Sequence, residues 1–387
     1  MRSGRGARNR GSGREGQHGF RMVPTAESIR NPMTRANPAG APPEWRRFVL
    51  LFLAVAAVLG AICIGFVAAL DPYGLRAGPG RAQGPLMDGN QRFMYPQIAR
   101  SGAYDAAVFG TSTLRLLDPA DLGRAFGGRF ANLSMNAATP YEQSELARLY
   151  LRHERPKTLL FGIDPTWCEP DAAERRLTFR AFPAWLYGRI TLWDALRQVN
   201  WQSLGTAFEA ALYRLGLVRA RLAENGYAVF TPAETLYDAA RAQAHIRSAG
   251  AIQAAAEAAP GYRPTPPDAA MPALGWLDAL LAQAPPETRT LLVLPPVHVS
   301  QQAAPGSPAA AREAACKAQV TRIGAAHGAT VVDFRIPSPI TTQDTNYWDP
   351  LHYRLPIAGR IVAGLKAAQA SGRDDPEGTY RVLAHAP

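Results

Sequence analysis

A serine, an aspartate and a histidine in this chain have the types and the spacing of a nucleophile and its base. Ser112 follows a short apolar run, 106–109, and a break at Gly110, so we expect it just past the end of a buried strand. Open α/β sheets bind their ligands at that edge. Asp349 and His352 stand three residues apart near the other end of the chain, so one helical turn would place both on the same side.

These side chains suit general-base activation of a hydroxyl. An alcohol is a poor nucleophile until a base removes its proton, and imidazole titrates near neutral pH. Ser112 would attack, His352 would take its proton, and Asp349 would fix the imidazole tautomer through the other ring nitrogen. Simpler roles stay open, because Thr111 and Ser112 would also cap a helix, and Asp349 with Pro350 would also begin one.

Together the two motifs resemble those of the SGNH/GDSL hydrolase superfamily. Members of that family carry the nucleophile in a Gly-Asp-Ser or Gly-Ser-Ser turn after the first strand, and an Asp-x-x-His pair before the last helix. Gly110-Thr111-Ser112 matches the first motif and Asp349-Pro350-Leu351-His352 the second, in the right order within residues 100–370. The nucleophile elbow of the α/β-hydrolases does not fit, because Leu114 stands where that motif needs a second glycine.

The resemblance also implies an oxyanion hole, and here the chain departs from the family. The family uses the backbone N–H of the serine, that of a glycine after the second strand, and an asparagine after the third. In this chain Ala137 replaces the glycine and Asp164 the asparagine. An ionised Asp164 would repel an oxyanion, whereas a protonated one would donate to it, and Asn136 is an alternative donor. Arg115 would clamp an anionic group or be an ordinary solvated arginine.

Strands and helices alternate along the part of the chain that must position these residues. Apolar runs predict strands at 105–109, 129–133, 158–163, 290–295 and 329–333, and helical patterns predict helices at 140–153, 273–284, 308–327 and 356–370. We therefore expect an α/β fold with a five-stranded, mostly parallel sheet and helices on both faces, over residues 101–371. The resemblance implies the three-layer, flavodoxin-like fold of SGNH hydrolases.

An insertion at about residues 170–265 separates the third and fourth strands and is far longer than one crossover helix needs. Apolar residues recur in it at helical spacing, including Leu204, Phe208, Leu212 and Leu215. We expect helices that pack on the core domain. A lid over the site and a surface resting on the membrane are the alternatives.

An apolar run without a charged side chain, 48–70, predicts a transmembrane helix. Its 23 residues reach across a hydrocarbon core of ~30 Å at ~1.5 Å per residue. Arg46 and Arg47 precede the run and Asp71 follows it, so the positive-inside rule keeps the N-terminus in the cytoplasm and sends the large domain to the periplasm. The rival interpretation is a signal peptide, but the run is longer than the usual h-region of ~7–15 residues.

The formal charge lies mostly in the N-terminal segment. The net charge is +11, and residues 1–47 contribute +7 of it, from ten arginines and three glutamates. The later arginines are scattered among acids, so we expect no nucleic-acid binding. Few apolar residues in 1–47 predict a disordered cytoplasmic tail. Residues 71–100, rich in glycine and proline, would be a connector, and 372–387 a frayed tail.

The three cysteines and the histidines predict neither a metal site nor a cofactor, because they form no cluster with metal-ligand spacing. Cys63 lies within the apolar run. Cys168 and Cys316 would pair in an oxidising compartment only if the fold brings them together, and we expect no bridge.

Resemblance and topology together imply a serine esterase or O-acyltransferase, anchored in the inner membrane and acting on an acylated envelope or exported polysaccharide, with acetyl as the expected acyl group. A different hypothesis is a catalytically silent module that binds a glycan or a partner in a polysaccharide assembly complex. Asp164 favours that module, whereas the complete set of Ser112, Asp349 and His352 disfavours it. A lipid-directed esterase would suit the membrane anchor and the aromatic insertion.

Overall fold

The computed structural model describes residues 43–76, 83–257 and 259–386. These residues form six strands, β1 Ala106–Phe109, β2 Phe130–Asn132, β3 Thr158–Gly162, β4 Arg289–Leu294, β5 Thr330–Asp333 and β6 Arg381–Ala384. Their helices are α1 Pro43–Leu70, α2 Gln91–Ala99, α3 Pro119–Phe126, α4 Pro140–His153, α5 Leu192–Arg197, α6 Trp201–Arg214, α7 Ala239–Glu257, α8 Pro272–Leu281, α9 Pro308–Ala326 and α10 Leu355–Ser371. The α/β class predicted from the alternating patterns is confirmed.

The strands form one mixed sheet in the order β2-β1-β3-β4-β5-β6. The first five strands pair in parallel, and β6 pairs antiparallel with β5. Strands β1, β2, β3 and β5 are buried along their whole length, as continuous apolar runs in parallel sheets usually are. The carboxyl ends of the five parallel strands therefore meet at one edge of the sheet.

Alternate strand residues point into two apolar cores. Phe109 and Phe161 belong to a core shared with residues of α2, α4, α8 and α9. Val108 and Leu160 belong to a second core, shared with residues of α3 and α10. The sheet is thus covered on both faces, and only its edges and loops remain for a binding site.

Two segments predicted as connector and tail belong to this folded unit. All nine residues of α2, which lies within 71–100, are buried, and α2 packs against α4. Strand β6 lies within 372–387 and adds a sixth strand to the predicted five. No apolar pattern predicts α2, because its nine buried residues include the polar side chains of Gln91, Arg92 and Gln97, and the partner of Arg92, Glu142, lies 50 positions later. Strand β6 was not predicted because its pairing with β5 is a long-range contact that no local pattern reveals.

By internal contacts, Val58–Pro387 is one compact unit. The described part of the other unit, residues 43–57, belongs to α1. By length and composition, residues Glu44–Leu70 of this helix suffice to cross a membrane. Most of the predicted disordered tail lies outside the described residues, and its last five residues, 43–47, are helical.

The expectation that Cys168 and Cys316 stay unpaired is wrong. Their Cα atoms lie 5.8 Å apart and the two residues form a disulfide. Cys168 ends the 3₁₀ turn after β3, and Cys316 lies on α9, so the fold joins residues that are 148 positions apart. Sequence spacing carries no information on such a contact. Among the described residues, Cys63 is the free cysteine.

Helix α6 of the insertion packs on the domain, as expected, but not through its apolar stripe. Helix α6 turns Ser203, Ala207 and Ala210 toward the domain, where they are buried. Phe208 and Leu215 on its other side are exposed. Helical spacing predicts that a stripe exists, but the packing decides which way it faces.

Candidate active site

Ser112 lies at the carboxyl edge of the sheet, directly after β1. It begins the 3₁₀ turn Ser112–Leu114, whose N-cap is Thr111. Two glycines leave room for Leu114 against the strand ends. A Cβ at Gly110 would lie 3.1 Å from Leu114 Cδ1, and a Cβ at Gly162 would lie 2.5 Å from the same atom. The position of the serine turn therefore depends on the lack of side chains at the ends of β1 and β3.

Two buried side chains hold this turn in place. Asn132 Nδ2, at the end of β2, donates to the carbonyl oxygens of Leu114 and Leu117 at 3.0 and 2.9 Å. The Tyr353 hydroxyl donates to the carbonyl oxygen of Thr113 at 2.6 Å. Sequence reasoning missed both roles. A polar residue at the end of an apolar strand was the available signal for Asn132.

The structure brings Ser112, His352 and Asp349 into one hydrogen-bonded chain. His352 Nε2 lies 2.9 Å from Ser112 Oγ, and His352 Nδ1 lies 2.7 Å from Asp349 Oδ2. An antiparallel bridge between Tyr347 and Tyr353 closes the loop that carries the pair. This loop precedes α10, so the aspartate and histidine share a turn and are not part of that helix.

Asp349 is held as an anion. Burial raises its pKa, but the hydrogen bond and charge of His352, together with the backbone N–H groups of Leu351 and His352, lower it by more, so the net pKa lies below the ordinary value. Its Oδ1 accepts from those N–H groups at 2.8 and 3.0 Å. A carboxylate at Nδ1 favours the tautomer that leaves the Nε2 lone pair facing Ser112. This arrangement can remove a proton from the serine hydroxyl.

A cavity of about 730 Å³ opens beside the serine and the histidine. Its wall includes Ser112, Ala137, Asp164, Arg335 and His352, and its apolar part includes Leu177, Phe179, Val297 and Leu351. Phe179 is the most exposed large apolar side chain of this group. The volume falls within the range of ~300–1,000 Å³ typical of small-molecule sites.

Asp164 lies in this wall at the end of β3 and is buried. Thr111 Oγ1 donates to its Oδ2 at 2.8 Å, and Thr113 Oγ1 donates to its Oδ1 at 3.1 Å. Burial raises the pKa of Asp164, and Arg335 with the two threonine hydroxyls opposes this rise without cancelling it. Asp164 therefore keeps its proton to a higher pH than an ordinary aspartate. The roles of Thr111 and Thr113 as its partners were not predicted.

Ala137 has a backbone conformation that favours glycine. It lines the cavity with a φ of +50°, in the left-handed region that costs a residue with a Cβ roughly 1–2 kcal/mol. Asn136 beside it does not line the cavity, and its Oδ1 accepts from Arg115 Nη1 at 2.9 Å. The Ala137 N–H is therefore the better candidate for an oxyanion donor.

Neither role suggested for Arg115 from the sequence, an anion clamp or an ordinary solvated arginine, fits its position. Arg115 is buried and does not line the cavity. Its guanidinium carbon lies 4.8 Å from the centroid of the Phe230 ring, whose own centroid is 5.4 Å from that of His352, edge to face. Arg115 thus supports Asn136 on one side and, through Phe230, the imidazole on the other. We assign it to positioning.

Arg335 is a cavity residue that sequence reasoning missed. It follows β5, and its guanidinium Nη2 donates to the carbonyl oxygen of Ile163. Its carbonyl oxygen accepts from Lys317 Nζ at 2.7 Å. The available signal was its place just after a strand of the parallel sheet, at the edge where ligands bind.

A second serine, histidine and aspartate set lies outside the cavity wall. His298 Nδ1 is 2.9 Å from Ser300 Oγ, and His298 Nε2 is 3.0 Å from Asp344 Oδ1. The Ser300 backbone N–H also points at Nδ1, at 3.2 Å, so Nε2 carries the proton toward Asp344. These hydrogen bonds link the turn at Val299–Gln301 to the turn at Asp344–Asn346. It provides a matched control for the set at Ser112.

In an assay for ester hydrolysis, the activity that the sequence motifs suggest, we expect Asp164→Asn to give turnover near that of the unchanged chain at low pH and to extend activity to more alkaline pH. Asparagine keeps a donor beside the two threonines and cannot ionise, whereas Asp164 loses its proton as the pH rises through its raised pKa. The measurement is a pH–rate profile of both proteins. A large gain in turnover at every pH would instead mean that Asp164 is an ionised obstacle.

The described residues contain no group of three or more His, Cys, Asp or Glu side chains that could hold a metal ion. Comparison with protein-family models gives no match for this chain, and comparison with curated proteins gives none either.

Proposed function

We propose that this chain is a membrane-anchored serine esterase or O-acyltransferase of the SGNH type. The observation that carries the proposal is the hydrogen-bonded chain from Asp349 through His352 to Ser112 at the wall of a cavity. The order β2-β1-β3-β4-β5 of the parallel strands gives further support, because it is the flavodoxin-like order that the resemblance implies. Ala137 supports it too, since its backbone is that of the glycine it replaces.

The reaction would proceed in two steps through an acyl-enzyme. Ser112 Oγ attacks the carbonyl carbon of the ester while His352 Nε2 takes the hydroxyl proton, and Asp349 stabilises the imidazolium. The oxyanion would accept hydrogen bonds from the N–H groups of Ser112 and Ala137 and, at a pH where Asp164 still holds its proton, from that carboxyl group. The imidazolium then returns its proton to the leaving alkoxide. Water, or a hydroxyl of an acceptor sugar, then attacks the acyl carbon while His352 takes its proton; the bond from that carbon to Ser112 Oγ breaks, and the imidazolium returns the proton to Ser112 Oγ.

The proposed substrate is an acylated polysaccharide, with acetyl as the acyl group. An acetyl group would fill only a small part of a cavity of about 730 Å³. The remaining space, with Phe179 and Leu177 exposed at its wall, suits a sugar unit whose apolar face packs against them. The direction of transfer depends on whether water or a sugar hydroxyl reaches the acyl-enzyme.

We further propose that α1 anchors the chain in the inner membrane, with the domain in the periplasm. Arg46 and Arg47 lie before the apolar run and favour a cytoplasmic N-terminus. The disulfide between Cys168 and Cys316 supports an oxidising compartment for the domain.

In cells that make the full chain, Cys168 and Cys316 are expected to resist thiol alkylation until a reductant is added. Protease added to spheroplasts should remove the large domain and leave a short membrane-held fragment. Both results follow from a domain outside the cytoplasm. If the domain is protected from the protease and its cysteines react without reduction, the proposed orientation is wrong.

A catalytically silent glycan-binding module is the second candidate, and Asp164 is the observation that favours it. A carboxyl group replaces the amide donor of the family, and both of its oxygens already accept from threonine hydroxyls. Such a module would keep the cavity and bind an acylated polysaccharide without turning it over.

Hydrolysis of a chromogenic acetyl ester by the purified full chain in detergent separates the two candidates. An esterase should release the chromophore at a rate that rises with protein concentration. A binding module should release none above background, either as the unchanged chain or as the Asp164→Asn variant, and should still retain the polysaccharide after Ser112→Ala.

A further inference from the structure

Helix α6 turns its apolar side away from the domain. The side chains that face the domain are small or polar, and Ser203 Oγ lies 3.2 Å from the Tyr73 hydroxyl as part of that contact. On the opposite side, Trp201 is 87% exposed, Phe208 57% and Leu215 71%. A helix that lies between a domain and water normally has the reverse pattern.

This apolar side adjoins the end of the candidate membrane helix. A cavity of about 540 Å³ is lined by Cys63, Ile64, Val67 and Ala68 of α1 and by Leu196, Val199, Trp201 and Leu204 of the α5–α6 region. At the other end of α6, Arg214 Nη2 donates to the carbonyl oxygen of Leu70, the last residue of α1, at 3.3 Å. Both ends of α6 are therefore close to the last two turns of α1.

We propose that the α5–α6 surface lies in the interfacial region of the lipid bilayer, beside the point where α1 leaves it. This surface is defined by the exposed side chains of Trp193, Leu196, Val199, Trp201, Phe208 and Leu215. The occupant is lipid, because the surface continues the apolar side of α1 and lies at the depth of its last turns. An apolar helix face in that position is covered by acyl chains once α1 spans the membrane.

The composition of the surface agrees with an interfacial position. Trp201 is exposed beside α1 and Trp193 is exposed on α5, and tryptophan is enriched where acyl chains meet headgroups. Arg197 and Arg214 are exposed on the same two helices, where they can contact lipid phosphate groups. A surface of six large apolar side chains would otherwise stay in contact with water, at a cost proportional to its apolar area.

The test uses the full chain in vesicles of phosphatidylglycerol and phosphatidylethanolamine. Cys63→Ser removes the free thiol and leaves the disulfide intact. In that background, Leu215→Cys and Ile252→Cys each carry an environment-sensitive fluorophore. The two positions are matched, because both side chains are 71% exposed, but Ile252 lies on α7, which packs against the turns at 299–301 and 344–346. A third variant, Phe208→Cys, repeats the test on α6.

The labels at 215 and 208 are expected to emit at shorter wavelength than the label at 252 and to lose fluorescence when the lipid carries shallow doxyl groups. Equal, water-like emission at all three positions, with no doxyl quenching, would overturn the proposal. So would cross-linking of Leu215→Cys chains to each other in place of quenching, because the surface would then be covered by a second copy. The inference rests on the proposed membrane anchor, but neither result depends on ester hydrolysis, so its failure is distinguishable from a failure of the proposed catalytic site.

Discussion

Replacing Ser112 with alanine is expected to lower kcat/KM for a chromogenic acetyl ester on the order of 10³-fold or more. The serine oxygen is the atom that His352 Nε2 contacts at 2.9 Å, and alanine offers no nucleophile in its place. The residual rate would come from the oxyanion donors and from binding alone. The variant should fold normally, because Ser112 Oγ lies at the cavity wall and not in either core.

Ser300→Ala is the matched control for that loss. Ser300 also lies 2.9 Å from a histidine nitrogen, that of His298, but outside the cavity wall. Its removal should leave the rate close to that of the unchanged chain. Equal losses in the two variants, or no loss in Ser112→Ala, would show that the measured hydrolysis does not come from the site at Ser112.

Arg92→Met is expected to cost about 3–5 kcal/mol of the free energy of unfolding, because it leaves a carboxylate buried without its partner. Arg92 and Glu142 are both 0% exposed, and the guanidinium makes two bonds to the carboxylate, Nε to Oε1 at 2.9 Å and Nη2 to Oε2 at 2.5 Å. Arg92 Nη1 also donates to the carbonyl oxygen of Asn136, so the pair supports the turn that carries Ala137. The measurement is chemical denaturation of the full chain in detergent.

Two further variants test whether the lost stability comes from the buried, unpaired charge. Arg124→Met breaks the exposed pair with Asp121 and should cost less than about 1 kcal/mol. Glu142→Gln added to Arg92→Met removes the buried charge and should restore part of the lost stability. A midpoint for Arg92→Met equal to that of Arg124→Met would contradict a stabilising role for the buried pair.

Local patterns sufficed for the elements that are apolar and contiguous. The five parallel strands follow from short apolar runs, and α4 has the predicted bounds, Pro140–His153, because a Thr139 capping box begins it. Elements that depend on distant partners were missed. Helix α2 buries Arg92 against a glutamate 50 positions later, and the disulfide joins residues 148 positions apart.

In the candidate site, the motifs predicted Ser112, Asp349 and His352 themselves. They did not predict which side chains surround each of these groups. Arg115 packs against the ring of Phe230, and Thr111 and Thr113 donate hydrogen bonds to Asp164. These contacts depend on how loops pack at the edge of the sheet. The left-handed backbone of Ala137 could not be read from an alanine either, because that conformation favours glycine.

The most direct test of the central claim, that Ser112 is a nucleophile activated by His352, is covalent trapping. The full chain is incubated with a serine-directed phosphonate and the adduct is located by peptide mass spectrometry. We expect one adduct, on Ser112, which is absent from Ser112→Ala and greatly slowed in His352→Ala because no base then takes the serine proton. An unmodified Ser112 after prolonged incubation, or an adduct that forms equally fast in His352→Ala, would contradict the proposed catalytic site.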